Sequence, residues 1–444
     1  MGNNFIAQSF GKSMNYTDIP NCLFKEYNVK KGLRNEDGTG VRVGLTRVSD
    51  VVGYDLEDGK KVEVPGKLFY RGISLNDLVA GKGDSHYGYE EACFLLLFGF
   101  LPSKKELMEF SGVIKQFYSL PDEFLEMNFL RMPSKDLMNL LQCAVLSLYN
   151  YDPNPDDIDP YQNILKGLNL IGKMPLIICY GYQSQLHYFQ KQSLIIHYAR
   201  NDYSIAENIL YMIREDRKFT DQEAKMLDTL LLIHADHGGG NNSTFTNVVI
   251  ASTGTDIYST MAGSIGSLKG PRHGGANIRC AQMMQAVTDE IGFTTDEAKI
   301  RGVIKRILDK DFYDKSGLVY GMGHAVYTVS DPRAEILKEY CGDLAREKHR
   351  EKEFEFLQTF EKIAREMLLE KTGKTVSNNV DFYSGFAYNM LNIPKELYTP
   401  LFACSRLVGW LAHNIENKLY DGRIMRPATK YVGDTINYKA MEER

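Results

Sequence analysis

From Tyr70 onward, apolar side chains recur at three- and four-residue spacing in one segment after another, and that period predicts helices. The predicted helices run over Tyr89–Gly99, Lys104–Tyr118, Lys135–Tyr149, Gln162–Gln183, Ser204–Arg214, Asp221–Ala235, Ile278–Val287, Thr295–Asp309, Pro332–Arg346, Glu353–Glu370 and Tyr398–Asn417. Punctuation agrees with the period. Ser103 and Glu106 have capping-box spacing. Asp331 before Pro332 reads as a cap followed by proline at the first helical position. Asp152–Pro160 is a loop by composition, and Gly238–Asn242 ends the Asp221–Ala235 helix. Before Tyr70 the pattern changes: Val41–Leu45 and Lys60–Val64 read as short strands around a Glu57-Asp58-Gly59 turn. Met1–Leu33 is weakly patterned. A βαβ alternation is absent, and so is a GxGxxG or GxxxxGK[ST] loop, which excludes nucleotide folds of those types. The expected fold class is mostly α with a short N-terminal β-hairpin region.

Composition narrows the partners. At 444 residues the chain has room for two or three domains, and 43% hydrophobic with 25% charged residues is ordinary for a soluble globular protein. A net charge of -5 leaves no basic excess to neutralise phosphates, so no nucleic-acid partner is expected. The longest apolar runs, such as Leu230–Ile233 and Phe94–Leu97, are too short to span a bilayer, so no membrane partner is expected. Seven scattered cysteines without a CxxC pair suit a reducing compartment and buried thiols. Met1–Pro20 lacks both an apolar h-region and an Arg-rich pattern, and a cytoplasmic location is expected.

Candidate chemistry gathers in a few stretches. Gly270–Asn277 (Gly-Pro-Arg-His-Gly-Gly-Ala-Asn) places His273 before a predicted helix. The helix dipole there disfavours imidazolium, and a neutral ring donates a hydrogen bond to a developing oxyanion. A turn histidine that only caps the helix fits the same letters. Gly274 and Gly275 let a ligand approach the backbone. His234 and His237 are three apart at a helix end, a metal-like spacing, but neither HExxH nor a nearby third ligand accompanies them. His324 follows Gly321-Met322-Gly323, and Arg333 falls in the first helical turn, where the dipole opposes a cation; it needs an anion or a surface salt bridge. Asp381 stands between apolar Val380 and Phe382, a setting that raises a carboxylate's pKa toward that of a usable base. Arg406 lies in an apolar helix and should be paired, and Arg426-Pro427 follows. Arginines suit a small di- or tricarboxylate, while histidines plus one carboxylate suit proton abstraction beside a carbonyl.

In this order the stretches resemble the citrate synthase family. The resemblance rests on His234-Ala235-Asp236-His237, Gly270–Asn277, Gly321–Tyr327 with Asp331–Ala334, Asn379–Gly385, Arg406 with Gly409-Trp410 and His413, and Arg426-Pro427. Tyr70–Ile73 and Leu95–Gly99 add to it, and it spans roughly Leu45–Gly433. It implies a two-domain helical fold: a large, dimer-forming domain of residues 1–277 and 392–444, and a small inserted domain of 278–391. It implies an acyltransferase that condenses acetyl-CoA with oxaloacetate and water to citrate and coenzyme A. By the same resemblance Asp381 is the base, His273 stabilises the enol, and His324 polarises the ketone. His237, Arg333, Arg406 and the neighbouring subunit's counterpart of Arg426 would hold oxaloacetate. Tyr320, Gly321, Met322, Gly323, Lys374 and Asn379 would meet coenzyme A. No metal and no cofactor is implied, since the thioester is a substrate, and a homodimer with shared sites is.

Met322 departs from the family's usual aromatic, Gly238 from a common glutamate, and Arg272 is a variable position. The nearest rival is a 2-methylcitrate synthase using propionyl-CoA, because one methylene gives a pocket only about 1–3 kcal/mol of discrimination. More distant rivals are a catalytically dead regulator and a zinc hydrolase built on His234 and His237.

Overall fold

The computed structural model describes residues 2–57, 60–420 and 422–443. The chain divides into two compact units, Met1–Leu45 with Met425–Arg444, and Thr46–Ile424. In the first unit a helix over Gly2–Thr17 and a short one over Asn21–Glu26 occupy the weakly patterned N-terminal stretch, and Lys430 lies 5.7 Å from the Tyr27 ring centroid.

The predicted helices form, with ends shifted by a few residues. The capping signals explain their starts. Ser103 and Glu106 close a reciprocal box, as do Ser204 with Glu207 and Thr220 with Glu223. Asp331 accepts from the Arg333 backbone N–H at 3.0 Å, with Pro332 at the first helical position. Helices over Leu75–Lys82, Asn242–Ala251, Ile257–Lys269 and Val380–Met390 were not predicted from the period. The middle pair shows why. Their contact face is polar as well as apolar: Ser243, Thr244, Asn247, Thr260 and Ser264 are buried, and Asn247 Nδ2 donates to Ser264 Oγ at 3.0 Å. Satisfied polar groups sit where a period-3.6 search looks for apolar ones.

At the centre lies the helix Tyr398–Leu419, in which Arg406 and Trp410 are both 0% exposed. It packs on Pro160–Gln190, Asp221–His234, Gly88–Phe98 and Asn242–Ala251. Pro160–Gln190, at 31 residues, is long and apolar enough to cross a membrane by length and composition. Its most apolar window is 78% buried within the protein, which accounts for that character. Buried polar bonds fix the helix at the level of Arg406. The Tyr89 hydroxyl reaches the carbonyls of Cys404 (2.9 Å) and Ser405 (3.1 Å). The amides of Gly88 and Tyr89 in turn donate to Asp228 at 3.1 and 2.9 Å.

The hairpin differs from the expected one. Strand Lys60–Tyr70 contains the predicted Lys60–Val64, but its partner is Ser49–Glu57, and Ile73–Ser74 adds a short third strand. Val41–Leu45 joins no strand, and Leu45 is 90% exposed. Gly53 and a register shift between Val52 and Tyr54 break the alternation that would have marked Ser49–Glu57 in the sequence. The Asp58-Gly59 tip of the predicted turn lies outside the described residues. Of the cysteines, five are buried as expected, but Cys22 and Cys143 are exposed.

The hairpin seats the loop that carries His324. A Cβ on Gly66 would stand 2.2 Å from the Ser330 carbonyl oxygen and 2.5 Å from the Tyr327 ring. The Gly66 amide donates to that same oxygen at 3.1 Å, and the Tyr327 hydroxyl donates to the Lys67 carbonyl at 3.3 Å. Any side chain at position 66 therefore displaces residues 327–330. Gly66→Ala is expected to leave the far-ultraviolet circular dichroism spectrum intact while turnover falls by roughly tenfold or more, as expected of misplaced reacting groups. Steady-state kinetics on the folded variant check this.

Candidate active site

Arg406 is the most demanding group in the molecule. Its Nε donates to the His234 carbonyl at 2.6 Å and its guanidinium lies 4.7 Å from the Phe402 ring centroid. Nη1 and Nη2 are buried with no hydrogen-bond partner. The expected pairing is thus only partial. A buried charged donor left without an acceptor costs more than the roughly 1–3 kcal/mol of a neutral one, so this arrangement asks for an anion. Burial pulls the Arg406 pKa down to about 10, against the opposing charge of Asp236. Arg333 is different. It is 3% exposed and forks onto Asp331 through Nε (3.0 Å) and Nη2 (2.7 Å), a buried ion pair in place of the surface one the sequence allowed.

Three imidazoles stand in the field of these cations. Burial first, then Arg333, His324 and Arg406, hold His237 well below the usual histidine range, and its Nε2 is buried without a partner. The His237 ring is 5.1 Å from that of His324 and 5.5 Å from Tyr327. His324 accepts the backbone N–H groups of Val326 and Tyr327 at its Nδ1, both at 3.1 Å. That fixes the tautomer of the neutral ring: the proton is on Nε2, which is a donor. His234 uses Nδ1 on the Leu230 carbonyl at 2.7 Å, its ring lies tilted 4.8 Å from that of Phe402, and burial takes its pKa down to about 3. Among the described residues no group of three His, Cys, Asp or Glu gathers in metal-binding geometry.

His273 sits in the turn Gly270–Gly275, before the helix Ala276–Ile291. Its pKa is lowered to about 4, first by burial and then by Arg406. The direction is the expected one, and burial, which the sequence did not show, is the largest cause. Nε2 faces Asn241 Oδ1 at 3.0 Å and Ser243 Oγ at 3.2 Å. When the Ser243 hydroxyl donates to Nε2, Nδ1 carries the proton; when Nε2 donates to Asn241, Nδ1 is bare. Gly274 serves packing: a Cβ there would stand 2.7 Å from the Leu268 carbonyl oxygen. The expected room for a ligand is thus taken by the preceding helix.

Asp381 is at the second position of the helix Val380–Met390, capped by Asn379. A helix N-terminus and Arg333 both favour its charged form. Burial outweighs them and raises its pKa to about 6, with Arg333 and the Asn277 side chain opposing. Tyr320–Gly323 is stitched to the segment that leads into this helix. The Gly323 amide donates to Ser377 O at 2.7 Å, the Asn379 amide to Gly321 O at 2.9 Å, and Asn379 Nδ2 to Gly323 O at 2.8 Å. Those backbone groups are therefore already bonded internally. Met322 pairs with Asn378 across an isolated bridge, and Lys374 is exposed. Arg426 is exposed and belongs to the first compact unit.

Sequence reasoning passed over the polar groups behind the site. Asp236 is 0% exposed and accepts from the Ser49 hydroxyl, from the Gly238 amide at 2.9 Å, and contacts His413 Nε2 at 3.3 Å. Its Oδ1 has no partner, and burial is outweighed by His413 and Arg406 so that it stays ionised. The one available signal was the run His234-Ala235-Asp236-His237, in which the carboxylate stood between two histidines under discussion.

The family model "Citrate synthase, C-terminal domain" matches residues 35–428. A citrate synthase from Deinococcus radiodurans is 35% identical over 350 residues, covering 78% of this chain and 85% of that one. A 2-methylcitrate synthase from Shewanella oneidensis is 31% identical, covering 82% of this chain and 88% of its own. Among solved structures, the ternary complex of Thermoplasma acidophilum citrate synthase with carboxymethyl coenzyme A and oxaloacetate superposes with a TM-score of 0.76 at 27% identity. The match covers 94% of this chain and 99% of that one.

The imidazole of His273 is expected to stay neutral at pH 6 and to protonate only near pH 4. Nitrogen-15 chemical shifts of labelled histidine, followed from pH 7 to pH 4, measure it. In Arg406→Leu the titration should move upward but remain below the free-histidine value, because burial is the larger cause.

Proposed function

The chain belongs to the citrate synthase family, and we infer that it condenses acetyl-CoA with oxaloacetate and water to give citrate and coenzyme A. The observation that carries the reading is the buried, two-donor deficit of Arg406 beside Arg333, His237 and His324. A small dicarboxylate with a ketone supplies what that set lacks: anionic acceptors for the guanidinium and a carbonyl oxygen for an N–H. His324, with its proton on Nε2, donates to the ketone and delivers a proton to the alkoxide as it forms.

The thioester enters as the second substrate. Asp381 removes a methyl proton, and His273 in its Nδ1–H form donates to the thioester oxygen while the enol develops. That tautomer requires the Ser243 hydroxyl, which otherwise donates to Asn241 Oδ1 at 2.9 Å, to turn its proton to Nε2. A carboxylate is far too weak a base for such a proton in water. The deficit is met at the oxygen, where a preorganised donor is worth about 2.7–4 kcal/mol. The enol carbon then attacks the polarised ketone, and hydrolysis of the citryl thioester releases coenzyme A. Neutral histidines matter throughout: an imidazolium at 273 would leave the enolate too stable to react onward, and its charge would add to that of Arg406, which has no ion pair.

The family reading extends to features for which support is the resemblance alone. Residues 1–277 with 392–444 form the large domain and 278–391 the small one, whose closure excludes water from the thioester. Tyr320–Gly323, Lys374 and Asn379 contact coenzyme A, no metal or cofactor takes part, and the protein is a cytoplasmic homodimer in which Arg426 completes the neighbouring subunit's site.

Release of free thiol from acetyl-CoA that depends on oxaloacetate is the direct test. Propionyl-CoA run in parallel separates the two chemistries found among the relatives. Asp381 must be ionised in the free enzyme, so kcat/KM should fall about tenfold per pH unit below about 6, with no contribution from His273 above pH 5. A pH–rate profile measures that limb, and Asp381→Asn should remove activity and limb together. Sharing is tested in mixed dimers of Arg426→Leu and Asp381→Ala subunits. One site in each mixed dimer keeps both residues, so roughly half of the wild-type activity is expected.

A further inference from the structure

A cavity of about 140 Å³ has Asp381 in its wall. Asp381 and Gly385, one helical turn apart, both line it, and none of His237, His273, His324 or Arg406 does. Its body is apolar and aromatic, made by Ala281, Met284, Phe356 and Phe386. Its charged lining residues besides Asp381 are Arg350, Glu353 and Lys395. Arg350 already forks onto Glu353, with Nε to Oε1 at 2.8 Å, and lies 5.5 Å from the Phe386 ring centroid. Lys395 has no ion-pair partner among the described residues.

The walls come from separate elements: helices Ala276–Ile291, Glu351–Thr372 and Val380–Met390, and the Lys395–Tyr398 stretch that opens the central helix. The Tyr398 hydroxyl also donates to the Gly385 carbonyl at 3.4 Å. An occupant would thus bridge the helix that bears Asp381 and the start of the helix that bears Arg406. Apolar walls with a few convergent polar groups and a perturbed carboxyl make a small-molecule site. Lys395, with no ion pair, shares the cavity with aromatic side chains, and that pairing suits an amphipathic anion.

We propose that this cavity binds a small amphipathic monocarboxylate, with its carboxylate at Lys395 and its apolar body between Met284, Phe356 and Phe386. Its occupant changes turnover without competing for the cleft. The regulatory half of the inference rests on the synthase reading above; the binding half does not.

The probe is 3-phenylpropanoate, with its neutral amide as control. Calorimetric titration of the full-length protein should show binding of the acid and binding of the amide weaker by roughly tenfold, the loss of one charged contact. Met284→Trp fills the cavity and Lys395→Met removes the cation, and each should weaken binding of the acid by about tenfold or more. Circular dichroism reports whether each variant is folded, and the second serves if the first is not. In steady-state assays the acid should lower kcat with the KM of both substrates unchanged. Equal binding of acid and amide, binding unaltered in both variants, or competition with either substrate would overturn the proposal. If binding follows the prediction while no oxaloacetate-dependent thiol release occurs, the site stands and the synthase reading fails.

Discussion

The site is organised by one guanidinium that the fold buries and does not satisfy. Arg406 is held by a single bond to the His234 carbonyl, with its other two donor nitrogens buried and without an acceptor. A structure that only had to be stable would place a hydrophobic residue there, since burying an ion without its partners is destabilising by several kcal/mol. Much of the surrounding fold makes that placement possible. Tyr89 bonds the carbonyls of Cys404 and Ser405, the Ser405 hydroxyl bonds Leu231, and Asp228 anchors the helix that bears Tyr89. Those bonds keep the central helix from rotating Arg406 toward solvent or toward the unpartnered Oδ1 of Asp236.

Burial sets the protonation of its neighbours, and the same cation adds to it. His237, His234 and His273 are all depressed by burial, and in each Arg406 adds to the effect. Neutrality of the imidazoles is therefore a shared property of the cluster and does not depend on each ring having its own device. Arg333 acts in the opposite sense on Asp381, lowering a pKa that burial raises. Two arginines thus keep bases neutral and an acid ionised, and the anionic substrate completes the charge balance when it binds.

Much of this was legible in the sequence, and the gaps have physical causes. Helices with apolar stripes and capping boxes were readable because local chemistry alone decides them, as at Ser103 with Glu106. The helices Asn242–Ala251 and Ile257–Lys269 were not, because their contact faces bury Ser, Thr and Asn whose partners lie in another element. The strand Ser49–Glu57 was missed because Gly53 interrupts its alternation for the sake of a loop some 270 residues later in the chain. Motif glycines drew attention to His273 and His324, and the structure brings their neighbours together. It assigns the depressed pKa of His273 to burial, a quantity no local spacing contains. Asp236 and His413 lay within the quoted motifs without a role, because what marks them is mutual contact across 177 residues.

Asp381 shows how narrow the working range of such a site is. At the start of a helix and within the field of Arg333, a solvated aspartate would be a base of negligible strength. Buried without those two influences, it would be protonated at neutral pH and unable to accept anything. Burial and counter-charge together leave it near pH 6, ionised in the cell yet stronger than a free carboxylate by about two pH units. Those two units amount to about 2.7 kcal/mol, far short of what proton removal from carbon requires. The remainder has to come from the donor at the other end of the enolising bond. The base and the neutral histidine are therefore one device, and tuning either alone gains little.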